Sequence, residues 1–152
     1  MEKIITLLLI IAGAFTIKAQ QKAIHYEYAY IKNVEVQNDQ RFILADYVQF
    51  LTGKEALKSA IVHGDADREI NNNGQEEWSL PNDFYIVNDN KKIRKLKLDK
   101  SCVYHLITMK NNLPKPSEQS FSFFKNKFAD KLFKISFDKN DMISKIEEVY
   151  LP

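Results

Sequence analysis

The chain has one cysteine in 152 residues, together with four glycines, four prolines and three histidines. A lone Cys102 leaves no partner for an intramolecular disulfide, so stability must come from a packed core. Set among Val103, Tyr104, Leu106 and Ile107, that cysteine reads as a small buried hydrophobe and not as a nucleophile. The histidines, His25, His63 and His105, form neither a His-x-His pair nor a His-Glu-x-x-His motif, the spacings that hold zinc. His63 stands next to Gly64, where an imidazole complements a helix C-terminus. The scarcity of glycine removes phosphate-cradling loops, because Thr52-Gly53-Lys54 lacks the glycine-rich stretch that would precede it. There is no Gly-x-Ser-x-Gly elbow, and Ser144-Lys145 has the wrong spacing for a Ser-Lys nucleophile pair. Glu147 and Glu148, adjacent on an expected strand, point to opposite faces and make no glycosidase pair. No internal repeat or low-complexity tract is present.

Charge of one sign is also lacking, with 22 basic and 20 acidic side chains. Lys3 is followed by a charge-free, largely apolar run from Ile4 to Ile17, about 14 residues against the roughly 20 of a spanning helix. Ile17-Lys18-Ala19 then supplies an aliphatic and a small residue at the −3 and −1 positions of a cleavage site. Residues 1–19 therefore read as a secretory signal peptide, and 20–152 as a single globular domain that is exported, periplasmic or secreted, with no transmembrane segment after cleavage. No cysteine sits near the cleavage point, which disfavours the lipid-modified type of export signal.

What is abundant is apolar residues in alternation. Ile24, Tyr26, Tyr28, Tyr30, Val34 and Val36 share one parity, broken once by Lys32; Asn38-Asp39-Gln40 turns the chain, and Arg41 to Leu51 returns as a second strand. Thr52 and Glu55 have the spacing of a capping box, Ala56, Leu57, Ala60 and Ile61 fall on one helical face, and Gly64 ends the helix. Residues 64–83 are rich in Asp, Asn and Glu and read as a mobile surface loop. Strands follow at 84–88, 93–98 and 102–109, then a linker at 111–116. A short helix comes next through Phe121, Phe124 and Phe128, capped by Ser117 or Ser120, and a last hairpin turns at Lys139-Asn140-Asp141. The expected fold is α+β: about seven mostly antiparallel strands with two short helices, the variant being a strongly curved sheet approaching a small barrel.

The segments Leu80-Pro81-Asn82-Asp83-Phe84-Tyr85-Ile86-Val87-Asn88-Asp89-Asn90 with Ile93-Arg94, Tyr47 to Ala56, and the ending Lys145-Ile146-Glu147-Glu148-Val149-Tyr150-Leu151-Pro152 resemble a group of small exported bacterial proteins of uncharacterised function. Lys91 stands where that group often has Pro. The resemblance covers most of residues 20–152 and implies an intact exported domain; it brings no activity and no catalytic residue with it.

Asp65, Asp67 and Glu69 alternate as at the opening of a calcium loop, with Glu76 twelfth. Ile70 stands where that loop needs glycine, which favours a solvated acidic loop and no cofactor over a calcium site, the alternative being a looser cation site that uses Asp83 or Asp89. Charge is uneven along the chain: residues 20–90 hold 6 basic and 12 acidic groups, residues 91–145 hold 14 basic and 5 acidic. Lys91, Lys92, Arg94, Lys95, Lys97 and Lys100 on one face would attract a polyanion; as alternating strand residues, Lys95 and Lys97 are the solvated side of a strand whose inner side is Leu96 and Leu98. Nucleic acid is disfavoured, for want of a binding motif. The expected function is a noncatalytic binding or interaction module of the cell envelope or exterior, whose partner is a protein or a polyanionic envelope component. Its ligand-binding region is placed at Tyr85, Asn88, Asp89, Lys91, Lys92 and Arg94. A small hydrolase with a His/Asp site assembled by folding, and a cation-stabilised structural domain, are the alternatives.

Overall fold

The computed structural model describes residues 25–151, and the leader expected over 1–19 lies outside them. β1 (Tyr26–Gln37) and β2 (Gln40–Thr52) form an antiparallel hairpin. Its turn residues Asn38 and Asp39 both have positive φ, 47° and 59°. A tight hairpin turn needs that geometry, and Asn and Asp tolerate it better than other L-residues. The register slips between Ile31 and Asn33, which makes Lys32 the extra residue of a bulge and accounts for the single break in alternation.

α1 (Gly53–His63) starts and stops where the sequence predicts, but the capping box does not form. Thr52 occupies the N-cap position without a side-chain hydrogen bond. Instead Gly53 turns the chain at φ 57°, and its N–H donates to the Asp83 carbonyl at 3.4 Å. At the other end Gly64 (φ 79°) closes the helix, and His63 Nδ1 lies 2.8 Å from the Ser59 carbonyl.

The expected loop over 64–83 is a small hairpin, β3 (Asp67–Ile70) with β4 (Glu76–Ser79), exposed on both faces. β5 (Phe84–Val87) then pairs with the end of β2. The two strands expected at 93–98 and 102–109 are one 18-residue strand, β6 (Ile93–Lys110). The expected linker at 111–116 is a two-residue turn, Asn111-Asn112, both at positive φ, leading into β7 (Leu113–Gln119). Pro114 and Pro116 are accommodated because β7 is an edge strand. α2 (Phe121–Lys127) is capped by Ser120, whose hydroxyl accepts from the Phe123 N–H at 3.2 Å. β8 (Leu132–Phe137) and β9 (Ile143–Glu148) form the last hairpin.

The fold is therefore α+β with two helices, as expected, but with nine strands among the described residues where about seven were expected. The order β2-β1-β8-β9-β6 closes on itself because β6 pairs with β2 over residues 93–97, giving a five-stranded barrel with β5 and β7 as additions. The β6–β9 pairing is parallel, the others antiparallel. Ile43, Ala45, Leu106, Phe133, Ile135 and Ile146 fill the barrel with no exposed surface. α2 inserts Phe124 into this core, stacked on Tyr104 at 4.9 Å and edge-on to Phe133 at 5.8 Å. No helix among the described residues is long and apolar enough to cross a membrane.

Candidate functional site

A barrel of this kind has a seam where one strand changes partners, and a cavity lined by charged side chains opens at that seam. β6 pairs with β2 as far as Lys97, opposite Phe42, then passes to β9 at Leu98, opposite Ile143. Between Leu98 and Val103 its register with β9 shifts. Asp99 stabilises the irregular stretch by accepting the Ser101 N–H (2.7 Å) and the Ser101 hydroxyl on the same oxygen, Oδ1. Those two hydrogen bonds hold the Asp99 carboxyl below the usual carboxylate range.

Where β2 and β6 part, a cavity of about 430 Å³ opens between Asp39, Gln40 and Arg41 on one side, Lys97, Leu98, Asp99 and Lys100 on the other, and Met142. Arg41 continues the inward-facing row of Ile43 and Ala45, so a cation ends a row that is otherwise apolar. Its guanidinium lies over the Phe121 ring at 4.3 Å, an aromatic support that restrains it without neutralising it. Among the described residues neither Arg41, Lys97 nor Lys100 takes part in an ion pair. Lys95, two residues away, differs: it bonds Glu35 at 2.8 Å and lies over Phe42 on the outer face.

Beneath Arg41 lie two buried groups. Tyr104 is 3 % exposed, with Cys102 and Arg41 as the polar neighbours of its hydroxyl. Burial is the main force raising its pKa, with the neighbouring Cys102 adding to it and Arg41 opposing. Burial likewise pushes the Cys102 thiol up to about 12. A thiol with that pKa stays protonated at neutral pH, and the thiolate is the reactive form. Native protein at pH 8 is expected to resist thiol-directed alkylation and to label fully in denaturant; rapid labelling of the native state would place Cys102 at the surface instead.

No family model, curated protein or solved structure matches the chain.

Of the six residues expected to bind a ligand, Tyr85 and Asp89 both approach His63, the Tyr85 ring at 5.8 Å between centroids. Tyr85 donates its hydroxyl to Asp65, and that hydrogen bond raises its pKa to about 12. Asn88 turns inward and donates to Asp46 at 3.0 Å. Asp89 sits 3.8 Å from His63. Arg94 donates to the Lys92 carbonyl and lies over the Tyr47 ring at 4.4 Å. Asp89 and Arg94 share a hollow of about 200 Å³ with Glu27 and Tyr47, while Lys91 and Lys92 are exposed. The other two histidines have separate partners. His25 stacks on Phe137 at 4.6 Å, whereas His105 faces Glu147 at 4.0 Å, and Glu147 is also bonded by Lys145. The β3–β4 register puts Asp67 and Glu69 on the face opposite Glu76, which is paired with Arg68, so the acidic side chains do not close around a common point. Sequence reasoning missed the cavity because its three segments are about 40 to 60 residues apart; Arg41, a lone cation at an apolar strand position, was the available signal.

Proposed function

We propose that the protein is an exported, noncatalytic binding domain of the cell envelope or exterior, and that it holds an anionic group of its partner in the cavity between β2 and β6. The observation that carries this reading is the make-up of the rim: Arg41, Lys97 and Lys100 stand around one opening, outnumber the carboxylates of Asp39 and Asp99 beside them, and take part in no ion pair among the described residues. Mouths of barrels are common ligand sites, and about 430 Å³ lies within the roughly 300–1,000 Å³ of small-molecule pockets. Arg41 is the anchor, because a guanidinium offers an oxyanion two parallel N–H donors. Lys97 and Lys100 raise the local potential and the rate of capture. A noncatalytic role is supported by the thiol beneath the site being held protonated, and by the separate partners of His25 and His105.

The test is thermal unfolding at low salt with an acidic oligosaccharide and with a polyphosphate. At about 100 times Kd, binding to the folded state adds about 2.7 kcal/mol and raises the melting temperature by several degrees. The rise should vanish with Arg41→Ala and shrink with added salt. An equal rise in the Arg41→Ala protein would place binding elsewhere on the surface.

A further inference from the structure

The polar and apolar groups of the same cavity narrow the ligand further, and this inference rests on the binding role given above. The lining interleaves two carboxylates and an amide, Asp39, Asp99 and Gln40, with the three cations, over a floor of Leu98 and Met142. Asp99 uses Oδ1 for Ser101 and has no hydrogen bond on Oδ2 among the described residues. A fatty acid or aromatic acid would press methylene or ring carbons against these carboxylates and displace the donors that water supplies them. A bare inorganic anion would leave Leu98 and Met142 without a partner. A single-stranded nucleic acid would need aromatic platforms for its bases, and among the described residues no aromatic side chain lines the cavity.

We propose that the cavity binds an acidic sugar, a pyranose carrying a carboxylate, with the sugar's oxyanion on Arg41 flanked by Lys97 and Lys100, its hydroxyls donating to Asp39 and Asp99, and a C–H face lying on Leu98 and Met142. This uses each lining group for the chemistry it offers. The carboxylate meets a cation already held on Phe121, and the hydroxyls give the carboxylates the donors that water would otherwise supply. The acid is available from two sources, a free sugar acid or a unit within an acidic polysaccharide.

The experiment is calorimetric titration of the protein with glucuronate, galacturonate oligomers, glucose, cyclohexanecarboxylate and inorganic phosphate. Glucuronate or the oligomers should bind about tenfold or more tightly than the last three, a difference of about 1.4 kcal/mol. Preference for monomer or oligomer identifies the source. Arg41→Lys, which keeps the charge but loses the fork, should weaken the acidic sugar about tenfold. Asp39→Ala should weaken it while leaving cyclohexanecarboxylate unchanged. Equal affinity for cyclohexanecarboxylate or phosphate would overturn the sugar assignment and leave the anion-binding role standing. No binding by any of these anions, with the variants folded as judged by melting, would overturn both.

Discussion

Replacing Phe124 by Ala is expected to lower the melting temperature by roughly 10 °C or more, the largest single effect we predict for the fold. Phe124 has no exposed surface, and around it the rings of Tyr104, Phe121, Phe128 and Phe133 lie at centroid distances of 4.9 to 6.5 Å. Truncating such a ring removes its transfer free energy and leaves a cavity, about 3–5 kcal/mol together. The loss falls on α2, a seven-residue helix too short to be stable alone, so its attachment depends on this insertion. Because Phe121 supports Arg41, the same substitution should also weaken anion binding. A drop of less than about 3 °C by differential scanning calorimetry would mean that α2 contributes little to the core.

The second large effect is a non-additive one. Asp46 is 3 % exposed, and Asn88 donates to its Oδ2 at 3.0 Å. Asn88→Ala takes that donor from a buried carboxylate and should cost about 3 kcal/mol. Asp46→Ala with Asn88→Ala removes the stranded acid along with its donor. The double variant should therefore be more stable than the sum of the single losses predicts, by about 1 kcal/mol or more, measured by urea unfolding. Additivity would show that the two side chains do not depend on each other. The pair also ties the chain after β5 to β2.

Much of the barrel was legible because its strands alternate cleanly. The Asn38-Asp39 turn, the break at Lys32, the Gly64 helix end and the Ser120 cap each express a local backbone preference that one sequence carries. The features that were missed are those in which a local signal has two meanings. Asp99-Lys100-Ser101 reads as a turn, yet here it is a bulge inside one strand changing partners. Pro114 and Pro116 argue against a strand, except at an edge, which only the assembled sheet reveals. The β3–β4 hairpin is exposed on both faces and so shows no hydrophobic alternation to read. The cavity left one local signal, Arg41 at an apolar strand position; closure of the barrel brings it together with Lys97 and Lys100, and no spacing in the sequence anticipates that.

The central claim is that an anion is held between β2 and β6, and the most direct measurement is amide chemical-shift mapping of the labelled protein titrated with an acidic oligosaccharide at low salt. The account predicts saturable shifts concentrated at Asp39–Arg41, Lys97–Ser101 and Met142, lost in Arg41→Ala. Shifts centred instead on Lys91, Lys92 and the end of β5, with residues 39–41 and 97–101 unmoved, would contradict it.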